Sequence, residues 1–188
     1  MTLIRRGKDE RGAAVVEFAI IGPILFLLIF GLIDFGFIFS DFLTERGGVQ
    51  TAARLGAVAN FGTNSACTLT GQSPTTSTEA TKLMCLAKDR MGLNAANARV
   101  KVLAVDPNTG NASYADGMEL VVCAQYPATS RTKLLTPFIS GKVMTTRVSI
   151  RVEQTNFDQL TPPVPTGTTG DFASSQETPL NGSWNCNP

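Results

Sequence analysis

The sequence predicts an α+β chain in which a long N-terminal transmembrane helix carries a small head built from an antiparallel sheet and a short second helix. Three observations predict it. The stretch Phe18–Ile33, FAIIGPILFLLIFGLI, contains no charge and apolar character resumes from Phe35 to Phe39, together long enough to cross a bilayer. A helical period then continues beyond it, and three later segments alternate apolar with polar residues, the mark of strands with one buried face.

The helix is expected to run from about Ala13 to Val58. After Ile33 a single acid, Asp34, precedes renewed apolar character from Phe35 to Phe39, and Phe42, Val49, Ala52, Ala53 and Gly56 keep an approximate helical spacing. At 1.5 Å per residue such a helix measures about 69 Å. Pro23 removes a backbone donor and is expected to bend it, with Gly22 easing the bend. Arg5, Arg6, Lys8 and Arg11 outnumber Asp9 and Glu10 before the apolar run, whereas Asp41 and Glu45 follow it. The positive-inside bias therefore predicts a cytoplasmic N-terminus, with everything after about residue 40 on the far side.

Asn60 to Thr78 reads as a Thr/Ser/Gly-rich loop. Thr76–Glu79, TSTE, has the form of a capping box opening a second helix, with Ala80, Leu83, Met84, Ala87 and Met91 on one stripe and Gly92 as its stop. Strands are expected at Ala98–Val105, Met118–Gln125 and Val143–Glu153. From Gln154 onward the Pro, Gly, Thr and Ser content rises and periodicity disappears, which predicts an irregular tail held, if at all, by Cys186.

The four cysteines, Cys67, Cys85, Cys123 and Cys186, all follow the apolar run and form no C-x-x-C pair. Two disulfides are the simplest reading, and buried free thiols the alternative. Three pairings are open. Cys67 with Cys85 is favoured because the two bracket the Thr/Ser-rich loop, which leaves Cys123 to tether Cys186. Disulfides place this part of the chain outside the reducing cytosol, in agreement with the topology read from the charges.

Composition narrows the function classes. The chain contains no histidine, so Ser-His-Asp and Cys-His nucleophiles and histidine metal ligands are excluded. A net charge of +1 with scattered Lys and Arg offers no basic face for nucleic acid. No phosphate loop, paired-carboxylate constellation or metal spacing is present; no catalytic residue and no cofactor are expected, and the chain does not read as an enzyme.

One motif remains. Arg11–Phe18, RGAAVVEF, places a glycine after a basic leader, four small or apolar residues, and then Glu17 at the edge of the apolar run. An ionised acid there costs about 2.5–3.5 kcal/mol at the bilayer centre, less near an interface, and calls for a cation. The motif resembles the prepilin peptidase site of type IV and Flp-type pilins. Gly31–Gly36, GLIDFG, and Gln50–Ala57, QTAARLGA, extend the resemblance to the TadE-like minor pseudopilins of Flp/Tad pilus systems, over about the first 60 residues.

That resemblance implies cleavage between Gly12 and Ala13. Ala13 then becomes the mature N-terminus, with Glu17, followed by Phe18, pairing with the free amine of a neighbouring subunit. It implies a pilin-like head and divides the chain into a 1–12 leader, a 13–59 assembly helix, a 60–154 head and a 155–188 tail. The implied partners are a prepilin peptidase, other pilins and minor pseudopilins reached through the N-terminal helix, and an inner-membrane assembly platform. The implied location is the bacterial inner membrane, with the head periplasmic, and then the pilus outside the cell. Asp34, at the outer end of the span, is expected to meet water, a headgroup or a base such as Arg46 of a neighbouring helix. A signal-anchored extracytoplasmic binding domain whose helix stays in the membrane is the alternative function.

Overall fold

A computed structural model describes residues 11–61, 67–71, 79–92, 95–110, 114–153, 176–184 and 186. Helix α1 spans Arg11–Ala57 and passes through Pro23, close to the expected range. Gly22 leaves room for the Phe18 ring, whose carbons lie 3.5 Å from where a β-carbon would stand. The helix ends where Ala59 takes a left-handed φ of 55°. There Asn60 N–H donates to Leu55 O at 2.9 Å and Ala59 N–H to Gly56 O at 3.2 Å. This pair of bonds satisfies carbonyls that the last turn would otherwise leave open, and it is usually built on glycine.

The chain divides into two compact units, one formed by the α1 half up to Ile38 with Thr129–Ser140, the other by Phe39–Ala128 with the chain from Gly141 onward. In the second, α2 (Glu79–Arg90) carries Glu79 in its first turn and Lys88 and Arg90 in its last, charges that complement the helix dipole. It stops before Gly92, whose φ is 58°. The first three residues of the expected capping box lie outside the described residues. Strands β1 (Arg99–Val105), β2 (Glu119–Pro127) and β3 (Val143–Arg151) form an antiparallel sheet in the order β1-β2-β3. Val102 pairs with Val122 and Leu120 with Ile150.

One face of this sheet, with Val100, Val102, Leu120, Val122 and Ala124, shares a core with Val49, Ala52 and Ala53 of α1 and Leu83, Met84 and Ala87 of α2. Glycines on α1 allow the close approach. A β-carbon on Gly48 would stand 2.9 Å from Met91 Cγ and 3.0 Å from the Ala87 carbonyl oxygen, and one on Gly56 would meet Leu83 and Leu120 at 2.7 Å. Side-chain alternation along β1 matches the expected strand with one buried face, but β2 is buried at every position between its two ends.

The tail supplies the second cover, contrary to the expectation that only Cys186 would hold it. Glu177 Oε1 accepts hydrogen bonds from Thr70 N–H at 2.7 Å and Lys88 Nζ at 2.8 Å, and Oε2 accepts from Val100 N–H at 2.8 Å. Gln125 donates to Ser183 O at 2.9 Å and accepts from Leu180 N–H at 2.9 Å. Val121, Cys123 and Cys186 form a small core there, flanked by Leu103 and Trp184. A buried carboxylate paired with an ammonium and two amides is a stronger tether than packing alone, and nothing periodic in the tail announces it.

Cys67 and Cys85 are joined by a disulfide. Cys123 and Cys186 are both buried and unbonded; the Cys123 thiol points at the Cys186 carbonyl oxygen, 3.9 Å away. The tether expected between them is therefore made by contact, with Glu177 and Gln125 holding the tail in place.

Candidate functional site: the exposed apolar helix and its clasp

α1 is long and apolar enough to cross a membrane, and it presents its apolar side chains outward. Val15, Val16, Phe18, Ile20, Ile21, Ile24, and the Leu, Ile and Phe residues through Phe39 other than the half-buried Ile38 stand exposed. A surface of this composition and extent is not stable against water and requires lipid or other helices as its solvent. Within it, Gly12 and Ala13 lie in the first turn. Glu17 follows Ala13 by one helical turn, so the two share a face. The Glu17 carboxylate is exposed and makes no hydrogen bond or ion pair with any described residue. Phe18 is exposed beside it.

Asp34 is the acid of the apolar half that another segment covers. It is fully buried, because the segment joining β2 to β3 closes over it. Its Oδ1 accepts from Arg131 N–H at 3.1 Å and Thr132 N–H at 2.9 Å, while Oδ2 accepts from the Thr132 hydroxyl at 2.7 Å and from the Ser130 hydroxyl. The Arg131 guanidinium lies 5.9 Å from the centroid of the Phe37 ring, a cation–π contact that adds to the clasp. Asp34 thus finds hydrogen-bond donors inside its own chain, on a segment that the sequence alone does not pair with it. The physical reason is capacity: two amides and two hydroxyls fill the carboxylate's acceptor sites without importing a second charge.

The clasp residues Ser130, Arg131 and Thr132 escaped sequence reasoning. They belong to a hydroxyl- and base-containing stretch far from Asp34 in the chain, and no local period links the two. The clasp continues into α3 (Thr136–Ile139), also unforeseen. Among the described residues no cluster of His, Cys, Asp or Glu is arranged to hold a metal.

An α+β head that follows a single exposed helix, long and apolar enough to cross a membrane, is consistent with the class of membrane-anchored proteins. A family model described as TadE-like protein matches residues 12–57. That segment is nearly all of α1, so the similarity covers the helix, and the head lies outside the match. No curated protein and no solved structure matches the chain.

Proposed function

We propose that this chain is a minor pseudopilin of a Flp/Tad-type pilus. It is inserted in the inner membrane with its N-terminus cytoplasmic, cut by a prepilin peptidase after Gly12, and incorporated into the pilus as a priming or tip component through its N-terminal helix. The observation that carries this reading is Glu17, an exposed acid on an otherwise apolar, exposed helix surface, one turn from Ala13. Cleavage after Gly12 turns Ala13 into a free α-amine, the cation that an acid in this setting requires. An amine from a neighbouring subunit fixes the axial register of one helix against the next as lipid contacts are exchanged for helix contacts. The basic leader before Gly12 and the cysteines confined to the head support the same topology.

Glu17→Ala tests the role directly. The variant should insert in the membrane and still be cut, but its recovery in sheared pili should fall roughly tenfold or more, because the neighbouring Ala13 amine is left without its counter-ion in an apolar setting. Unchanged recovery removes the role given to Glu17.

A further inference from the structure

We infer that the segment Thr129–Ser140, clasped to the outer end of the apolar helix by Asp34, is a membrane-surface foot that seats Leu134 and Phe138 in the outer leaflet of the bilayer, with Arg131 and Lys133 at the level of the lipid phosphates. The inference rests on the anchored topology proposed above.

The argument begins with exposure. Among the described residues, the exposed large hydrophobic side chains lie on α1, with two exceptions: Leu134, 38% exposed, and Phe138, 76% exposed. Both exceptions fall in this one segment, which forms a single compact unit with the α1 half up to Ile38. The other described large apolar side chains of the head are buried or partly buried, so a bare phenylalanine here is a departure that needs an occupant.

Position identifies the occupant. Counting outward from Ala13, the apolar stretch reaches Ile33, a length of about 31 Å at 1.5 Å per residue, which matches the hydrocarbon thickness of a bilayer. Asp34 then falls at the outer boundary, and the segment hydrogen-bonded to it lies at the same level. Within the same unit the Arg131 guanidinium lies over the Phe37 ring of α1, 5.9 Å from its centroid.

Local structure fits this role. Lys133 adopts a left-handed φ of 64°, turning the chain after the clasp, and the Leu134 amide donates to the Thr132 hydroxyl at 3.3 Å. The one-turn helix α3 follows and buries none of its residues. Leu134, Leu135, Pro137, Phe138 and Ile139 beside Arg131 and Lys133 form the apolar-plus-basic composition of interfacial elements, whose binding adds buried apolar area to attraction for anionic headgroups. A second protein subunit would need to bring a complementary apolar pocket; lipid is already present wherever α1 is in its membrane.

Bromolipid quenching tests the foot. Full-length chain carrying Trp184→Phe and Phe138→Trp is reconstituted in phosphatidylcholine/phosphatidylglycerol vesicles, with Trp184→Phe/Phe26→Trp as the reporter for the span. The inference expects Trp at 138 to emit to the blue and to be quenched by lipids brominated near the headgroup end of the acyl chain, but not by aqueous iodide. Trp at 138 quenched by iodide and untouched by bromolipid, while Trp at 26 is quenched by bromolipid, overturns the foot and leaves the anchor standing. If neither tryptophan responds to bromolipid, the anchored topology itself fails. A blue-shifted signal at 138 that ignores bromolipid and grows with protein density means a protein neighbour, and it also overturns the inference. A second measurement leaves Trp184 in place: in vesicles, trypsin should cut after Lys133 roughly tenfold more slowly in the native chain than in Leu134→Ser/Phe138→Ser. Equal rates contradict the foot.

Discussion

At the scale of single residues, the acids decide most of what is specific about this chain, and each is treated differently. Glu17 is exposed, Asp34 is saturated by its own chain, and Glu177 is paired with Lys88. Glu45 is the exception. It is 1% exposed, beyond the apolar span on the head half of α1, and neither of its carboxylate oxygens nor the Thr146 hydroxyl has a hydrogen-bond partner among the described residues. Burial pushes its carboxyl from the usual 4.5 up to about 8, so the folded head holds a proton that the unfolded chain releases. Between pH 4.5 and 8 the native state binds more protons, and stability must fall as pH rises. The slope reaches at most about 1.4 kcal/mol per pH unit. Glu45→Gln should flatten that slope and raise the stability of the detergent-solubilised full chain at pH 8 relative to wild type, by chemical denaturation followed at both pH values. A wild-type slope of the opposite sign would contradict the assignment. In the sequence Glu45 reads as a solvated acid that follows a membrane span; its burial depends on strand β3, which the local sequence around Glu45 does not encode.

At the scale of elements, the sequence carried the repeating structure and lost what depends on covering segments. The apolar run, the small-residue stripe of α1, the second helix and the three strands were all legible because each is written as a period. The burial of β2 on both faces was written too, in the unbroken LVVCA at Leu120–Ala124, but alternation on β1 and β3 outweighed it. The clasp on Asp34 and the Glu177 tether were not legible, since hydrogen bonds between distant segments leave no local pattern. The small-residue stripe yields a test at this scale. Gly48 admits α2 so closely that added atoms meet the Ala87 backbone as well as Met91, so Gly48→Val should destabilise the head by about 1–3 kcal/mol. Gly47→Val, where a β-carbon meets nothing within 4 Å, should cost far less. Equal losses in denaturant midpoint for the two variants would mean that the α1–α2 contact is looser than described.

At the scale of the whole molecule, the chain joins a packed head to a helix half that water cannot solvate, and its function depends on what that half meets. The TadE-like match falls on this helix, and the features on which the proposed function rests fall there as well: the Gly12–Ala13 bond, Glu17 and Asp34. In a lipid bilayer the helix is an anchor. On the proposed reading, removal of the basic leader would give Ala13 the amine that pairs with Glu17 of a neighbouring subunit, and the same apolar surface would serve assembly. The anchored-domain alternative needs neither the cut nor the pairing, so the two accounts separate at the N-terminus. Intact-mass measurement of the chain isolated from cells that are making pili is the most direct test. The account predicts a mature polypeptide lacking Met1–Gly12 and beginning at Ala13; a chain that keeps its leader in such cells would contradict it.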